Sequence, residues 1–454
     1  MGAFHAYDIR GIYNVDFDKD TAYRVGYFIP GLLGAGKVLV GRDCRVSSPE
    51  IHEALVSGVT DAGADVYDLG LSTTPLVYFG TARYGFRASV QITASHNPAV
   101  YNGMKVSMEN ALPVGLDNGL GQIKEWIDEG RPCVPASRKG SVYPMDIRKE
   151  YLEFLKGYRE DYSGLKIAFD LSNGMATLFA RDLFGDGPSY IFDTMDGSFP
   201  NHEPNPLVPA NVVALKNLVR ETRADIGVIY DGDADRVMFV DENGDFISPD
   251  LMIAVLGHYF LEGRGEKGIV LQDIRSSKAV GEYLVPMGAE MSTWKVGRAF
   301  AARKLRELDG IFGGELAGHY YFRDFFYSDS GLLASILILD VVARMKRKGI
   351  SVSGLISRIA RYRNSGEINF RLEDKQGAMD AVRDYFTALE KPSAMMDFDG
   401  YRVEFEDWWF NIRPSNTEPY LRFICEAVSD DLLAEKVSAV RKLLSEKFGA
   451  VQEG

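Results

Sequence analysis

Through about residue 340 the chain switches repeatedly between strand-like and helix-like patterns, which restricts it to α/β units on a largely parallel sheet. KVLVGRD (37–43) reads as a buried strand, and SPEIHEALVSGVTDAG (48–63) as an amphipathic helix with a Ser-Pro start and a Gly stop. ADVYDLG, TPLVYFGTARYG and ASVQIT (88–93) repeat the alternation. A second unit begins near Leu165, where LKIAFD, MATLFARDLF, YIFDT, VVALKNLVRETR and DIGVIYD read as strand, helix, strand, helix and strand. A third begins near Asp250, with GIVLQD, AEMSTWKV and DGIFGG as strands between helices. After about residue 360 the pattern becomes α+β: GEINFRLE, MMDFDGYRVEFED, WWFNIRPS and EPYLRFICEAV are strand-like, flanked by QGAMDAVRDYFTAL and LLAEKVSAVRKLLSEKF as helices. At roughly 150 residues per domain, 454 residues hold three or four. The expected architecture is three similar mixed/parallel-sheet α/β domains over 1–145, 146–247 and 248–362, then a smaller α+β domain over 363–454. RPCVPASRKGSVYP (131–144) and SGE (365–367) are expected as linkers.

Charge narrows the partners. A formal net charge of −13 argues against general nucleic-acid or anionic-membrane binding, which needs a basic surface. A phosphorylated small molecule stays open, because a local Arg/Lys cluster overrides the global field. Cys44, Cys133 and Cys425 are odd in number, far apart and without a CxxC, so neither a disulfide framework nor a zinc site is supported. The cytoplasm is the expected compartment. MGAFHAYDIRG lacks the basic-then-apolar pattern of a signal peptide. The most apolar run, GLLASILILDVVARM (331–345), is broken by Asp340 and Arg344 and reads as a core helix.

Four segments carry chemistry. QITASHNPAVYNGMK (91–105) places Ser95 and His96 at the end of a strand, where a sheet presents a reactive group to a cleft. IYDGDADRVMFVDENGD (229–245) spaces Asp231, Asp233 and Asp235 by two, so that three carboxylates can converge on one hard cation, although a merely acidic turn also fits. An EF-hand would need Gly where Arg236 stands and a helix where VMFV continues as a strand, so a Mg²⁺ loop is the better reading. In GGELAGHYYFRD (313–324), Glu315 can accept hydrogen bonds from sugar hydroxyls and His319 can handle a proton or a phosphate. A glycine-rich connector with a structural glutamate fits the same residues. NIRPSNTEPYLR (411–422) gathers Arg413, Ser415, Asn416 and Thr417, donors suited to a phosphate dianion, although a polar hairpin loop also fits. AYDIRG (6–11) adds Arg10, which taken alone is no more than a salt-bridge partner. Three Asp with one Mg²⁺ leave about −1, and a phosphoryl group on Ser95 would add about −2. Arg10, Lys105 and Arg236 are the cations at hand to balance it, the arrangement expected for phosphoryl transfer.

TASHNP, DGDADR, GGELAGH and RPSNTEP, in this order and at these separations, resemble the α-D-phosphohexomutases, nearest the bacterial phosphomannomutase/phosphoglucomutase group. The resemblance runs from AYDIRG to the C-terminal domain. It implies four domains around a central cleft, each giving one motif, and an intramolecular phosphotransferase of the isomerase class in carbohydrate metabolism. It implies a phosphoserine at Ser95, with Mg²⁺ held by that group and by Asp231, Asp233 and Asp235. The sugar phosphate would dock on Arg413, Ser415, Asn416 and Thr417 and receive the phosphoryl group. A glucose or mannose 1,6-bisphosphate would form, turn over in the cleft and return its other phosphate to Ser95, and it would also serve as activator. By the same resemblance Lys105 and His319 are proton-transfer candidates, Arg10 and Arg236 stabilise charge, Glu315 binds sugar hydroxyls, and Tyr7 lines the cleft. His96 shapes the serine loop; Pro98 and Gly103 hold and bend it, and Lys105 follows to face the site. The partner is a hexose phosphate, with no nucleic acid and no membrane, for a monomer or homodimer.

Two departures bear on the sugar. Where the family's loop usually reads GEMSGH, this chain has Ala317 in the serine position, and KVGRAF (295–300) has Arg298 where phosphomannomutase-like members often carry His. Phosphoglucosamine mutase is the nearest rival, but its loop resembles GEQSGH and Leu316 replaces that Gln. A sugar-phosphate phosphatase, in which water takes the phosphoryl group, and a binding protein without turnover are the rivals from other classes.

Overall fold

The computed structural model describes residues 2–415 and 420–453. Four sheets organise it. In the first, Lys37–Arg42 pairs parallel with Asp65–Leu71 and Ala88–Ile92, and Tyr101–Met108 runs antiparallel between Ala88–Ile92 and Ile9–Ile12. In the second, Ile226–Tyr230 is parallel to Ile167–Asp170 and antiparallel to Val237–Asp241. In the third, Gly268–Asp273 is parallel to Ala289–Trp294 and Phe312–Gly314, and Tyr320–Phe322 returns antiparallel to Phe312–Gly314. The same step recurs in each: a strand pairing parallel on one side is followed by a loop and an antiparallel return. Those three loops hold Ser95, the three aspartates, and Glu315 with His319. All lie at the carboxyl ends of parallel strands, where open α/β sheets bind ligands.

The fourth sheet is antiparallel throughout its path, from Ala394–Met396 through Tyr401–Glu404, Trp408–Pro414, Tyr420–Ala427 and Ile368–Arg371 to Val451–Glu453. Helices Lys375–Leu389 and Asp430–Phe448 accompany it, as the α+β reading of this region expects. It has its own core around Phe386, Trp408 and Phe410, whereas one continuous core joins the first three units. Helix Gly331–Arg347 runs through that shared core with fourteen buried residues, and Ser330 caps it by accepting from Leu333 N–H. No helix among the described residues is long and apolar enough to cross a membrane.

Four local expectations change. MMDFDGYRVEFED is not one strand: Ala394–Met396 and Tyr401–Glu404 pair antiparallel as a hairpin. MATLFARDLF is not one helix: a 3₁₀ turn, Met175–Leu178, breaks at Phe179 before a short helix, Ala180–Phe184. The segment expected as a linker supplies a strand, Val142–Pro144, which extends the first sheet beside Asp65–Leu71. Gly103 does not bend the serine loop but sits within strand Tyr101–Met108 opposite Arg10. A Cβ there would stand 2.1 Å from the Ile9 carbonyl oxygen, so the residue must be glycine for the two strands to close.

Candidate active site

Ser95 follows strand Ala88–Ile92 and takes the left-handed conformation, φ 52°. That costs an L-residue about 1–2 kcal/mol and persists only where neighbours over-determine it. Its N–H donates to Thr93 Oγ1 (2.9 Å), and its hydroxyl reaches across to the second unit and donates to Asp231 Oδ2 (2.8 Å). The approach is close: a Cβ on Gly232 would lie 2.5 Å from the Ser95 carbonyl oxygen.

The aspartate loop joins Ile226–Tyr230 to Val237–Asp241, and the other two α/β units pin it through the backbone. Thr74 N–H donates to the Asp233 carbonyl, Gly331 N–H to Ala234, and Val237 N–H to Gly318. Asp231, Asp233 and Asp235 are all fully buried, and their candidate ligand atoms lie within 4.8 Å of one another. Lys105 Nζ bridges Asp233 Oδ2 (2.6 Å) and Asp235 Oδ2 (2.5 Å), and Arg236 Nε donates to Asp231 Oδ2 (2.9 Å). Asp233 Oδ1 and Asp235 Oδ1 have no hydrogen-bond partner among the described residues. Two orphaned carboxylate oxygens beside a third buried carboxylate fit a hard divalent cation. Without one, burial and then the charges of Asp233 and Asp235 push the Asp231 carboxyl up to about 7. Burial opposes the ionised form of Asp235 too, but Lys105 and His319 outweigh it and hold that carboxyl well below the usual range.

The third unit closes over this cluster. His319 Nδ1 is bonded to Asp329 Oδ2 at 2.6 Å and lies 3.9 Å from Asp235 Oδ1. Burial disfavours the charged ring, but Asp235 and Asp329 carry its pKa above the ordinary value. His96 has the opposite environment. Burial, and then Arg236, Arg10 and Lys105, keep it well below its usual pKa, and its ring stands 3.5 Å from Ser95 Oγ as a neutral neighbour. Glu315 is buried, accepts from Gly297 N–H (3.0 Å), and is raised by that burial to about 7. Ala317 is half-buried in the same loop. Arg298 hydrogen-bonds the Tyr78 hydroxyl, lies 3.9 Å from Asp329, and has a buried Nη2 without a partner among the described residues. Tyr7 lies against Gly297, so the first and third units meet over the cleft. Arg10 pairs with Asp8 (2.5 Å) and donates to Asn97 Oδ1 (2.8 Å) in the serine loop.

Arg413, the penultimate residue of strand Trp408–Pro414, is buried, with Nη2 lacking a partner among the described residues. Ser415 follows, its N–H donating to the Tyr420 carbonyl, while Asn416 and Thr417 lie outside the described residues.

Several residues escape a reading of the motifs. Thr74 hydrogen-bonds Asp233 from the start of helix Thr74–Arg83, where Thr73 already supplies the cap. A second threonine with no capping duty was the available signal. Asp329 orients His319, and Asp273 accepts from Leu316 N–H (2.9 Å) behind the Glu315 loop. Asp399 spans two units: one oxygen accepts from Arg413 Nε (3.1 Å), the other from Val296 N–H (2.8 Å) beside Arg298. Both partners are donors, so an amide there must turn an N–H towards one of them. Asp399→Asn is expected to raise KM for a hexose phosphate about 10–100-fold, the equivalent of one charge-assisted hydrogen bond. An unchanged KM in steady-state kinetics would discard that role.

The family models for phosphoglucomutase/phosphomannomutase alpha/beta/alpha domains I, II and III match residues 1–131, 149–244 and 248–362, and the model for the C-terminal domain matches 367–443. A phosphomannomutase of Escherichia coli is 36% identical over 448 residues, covering 95% of this chain and 96% of its own. A phosphohexose mutase of Xanthomonas campestris is 36% identical over 444 residues, covering 96% and 97%. The crystal structure of a phosphoglucomutase/phosphomannomutase family protein from Burkholderia thailandensis superposes with a TM-score of 0.87 at 30% identity, covering 98% of this chain and 97% of that one. With all four domains matched in order and such relatives along its whole length, the chain belongs to the phosphoglucomutase/phosphomannomutase family, isomerase-type phosphotransferases.

Proposed function

We propose that the protein interconverts the 1- and 6-phosphates of a hexose, mannose and/or glucose, through a phosphoserine at Ser95 and a hexose 1,6-bisphosphate. The observation that carries this is the meeting of Ser95 Oγ with Asp231, inside a buried cluster that also holds Lys105. A serine in a strained turn, facing three carboxylates from another sheet, fits a metal-assisted phosphoryl carrier. One domain supplies each part: 1–145 the serine loop, 146–247 the metal loop, 248–362 the sugar loop and 363–454 the phosphate loop.

Asp231, Asp233 and Asp235, with the phosphoserine, would hold a divalent cation, Mg²⁺ in this reading. When bound, it supplies electrostatic neutralisation of the transferring phosphoryl group. The substrate's own phosphate rests on Arg413, Ser415, Asn416 and Thr417. Glu315 accepts from sugar hydroxyls, and Gly297 N–H fixes its direction. The bond from phosphorus to Ser95 Oγ breaks as one to the free sugar hydroxyl forms. That hydroxyl's proton passes to His319 in its neutral form; Lys105, an ammonium held between Asp233 and Asp235, has no lone pair to take it and, with Arg10 and Arg236, balances the moving charge. The bisphosphate then reorients, its other phosphoryl group returns to Ser95, and the held proton goes back to the sugar oxygen. A trace of hexose 1,6-bisphosphate activates enzyme that has lost its phosphate. The cytoplasm is the compartment in this reading.

The test compares kcat/KM for mannose 1-phosphate and glucose 1-phosphate with Mg²⁺ and a trace of glucose 1,6-bisphosphate. Measurable isomerisation of either sugar supports the proposal. Release of inorganic phosphate at a rate matching isomerisation would replace it with a phosphatase. Ala317→Ser is expected to shift the ratio of the two kcat/KM values by several-fold, as one added sugar hydrogen bond does. An unchanged ratio would remove Ala317 from sugar selection.

A further inference from the structure

The proposed reaction needs Ser95 held in a strained turn, and the motif around it supplies only part of the hold: Thr93 accepts the Ser95 N–H, while the turn's carbonyls are gripped from outside it. Arg45 lies fifty residues earlier, after strand Lys37–Arg42, and is fully buried. Its guanidinium has five N–H donors, and all five are engaged. Nε donates to Asp43 Oδ2 (3.1 Å). Nη1 donates to the carbonyls of Pro98 (2.7 Å) and Tyr101 (3.0 Å). Nη2 donates to those of Ser95 (2.9 Å) and Asn97 (2.6 Å). Asp43 is fixed in turn by Arg45 N–H and Ser48 Oγ. The second unit seals the group, with Phe199 stacked 4.9 Å from the guanidinium carbon.

We infer that Arg45 is the positioning residue for Ser95, its planar fork fixing four carbonyls of the 95–101 turn and so setting where the serine hydroxyl meets Asp231. The inference rests on the phosphoserine reading. No donor of the fork is left for substrate, so Arg45 acts through Ser95 and not on the phosphate. It also steadies Asn97, whose side chain receives Arg10, so that a reactive hydroxyl and a cleft cation share one support. Lysine cannot replace it: three donors on one nitrogen cannot span four carbonyls and a carboxylate.

The test uses full-length Arg45→Lys and Arg45→Ala, with folding followed by circular dichroism and thermal melting. Expected is a fall in kcat of about 100-fold, the effect of a roughly 1 Å misplacement of a reacting group, with KM within a few-fold of wild type. Phosphate uptake by Ser95 from glucose 1,6-bisphosphate, read by intact mass, should slow in parallel. Methylguanidinium should restore kcat in folded Arg45→Ala and do nothing for Arg45→Lys. A folded Arg45→Lys with wild-type kcat, or a kcat that falls only with the folded fraction and is not rescued, overturns the inference. Wild-type protein that takes up no phosphate at all would instead defeat the phosphoserine reading.

Discussion

Ser95→Ala is expected to lower mutase kcat on the order of 10⁴-fold or more, the scale on which covalent enzymes lose activity with their nucleophile. The fold should survive. Alanine meets the same left-handed φ of 52° that serine already tolerates, so backbone strain is nearly unchanged. The change removes one buried hydrogen bond, Ser95 Oγ to Asp231, worth about 1 kcal/mol. Thr93 still receives the residue's N–H, and its carbonyl still faces the guanidinium of Arg45. Activity and stability should therefore separate sharply: a dead enzyme with a melting temperature close to wild type. Intact mass after exposure to glucose 1,6-bisphosphate should gain a phosphate in wild type and none in the variant. A variant that keeps a tenth of wild-type kcat would mean the phosphoryl group travels by another route.

The motifs were legible because each is compressed into a few residues of distinctive chemistry. Asp231, Asp233 and Asp235 needed only their spacing and the strands either side to be placed in a loop. What could not be read was which loops touch. Thr74 and Asp233 are 159 positions apart, and no local pattern marks a threonine that bonds a distant carboxylate. Arg45 was hidden for a related reason: four of its five partners are backbone carbonyls, which leave no trace in side-chain identity. Asp399 lies where MMDFDGYRVEFED reads as one strand but folds as a hairpin of Ala394–Met396 and Tyr401–Glu404, and its bond to Val296 crosses a unit boundary that no local pattern marks. Gly103 shows the opposite error. Asn-Gly is a strong turn signal, but here the missing side chain serves strand contact with Ile9.

Stripping divalent metal should lower kcat on the order of 10³-fold, and added Mg²⁺ should restore it. Three fully buried carboxylates within 4.8 Å repel one another, and among the described residues Lys105 and Arg236 are the cations that hydrogen-bond them, with His319 3.9 Å from Asp235. A phosphoserine would add about two further negative charges to the same space. Neither cation can cancel that load alone, and two carboxylate oxygens, on Asp233 and Asp235, have no hydrogen-bond partner among the described residues. The folded cluster therefore favours a divalent ion, and the unfolded chain has no such cluster. Binding to the native state alone stabilises it by about 2.7 kcal/mol at a hundredfold excess over Kd. The melting temperature should thus climb with Mg²⁺ in wild type, a signal independent of catalysis. Asp233→Asn should lose most of that climb, because it removes a charge and replaces an orphaned oxygen at the centre of the loop. Ser95→Ala should keep much of it, since the three aspartates remain. If wild type freed of metal by chelation, with the metal content measured, still turns over at its original rate, the aspartates are a structural acidic turn. The charge balance of the site must then come from Lys105, Arg10 and Arg236 alone.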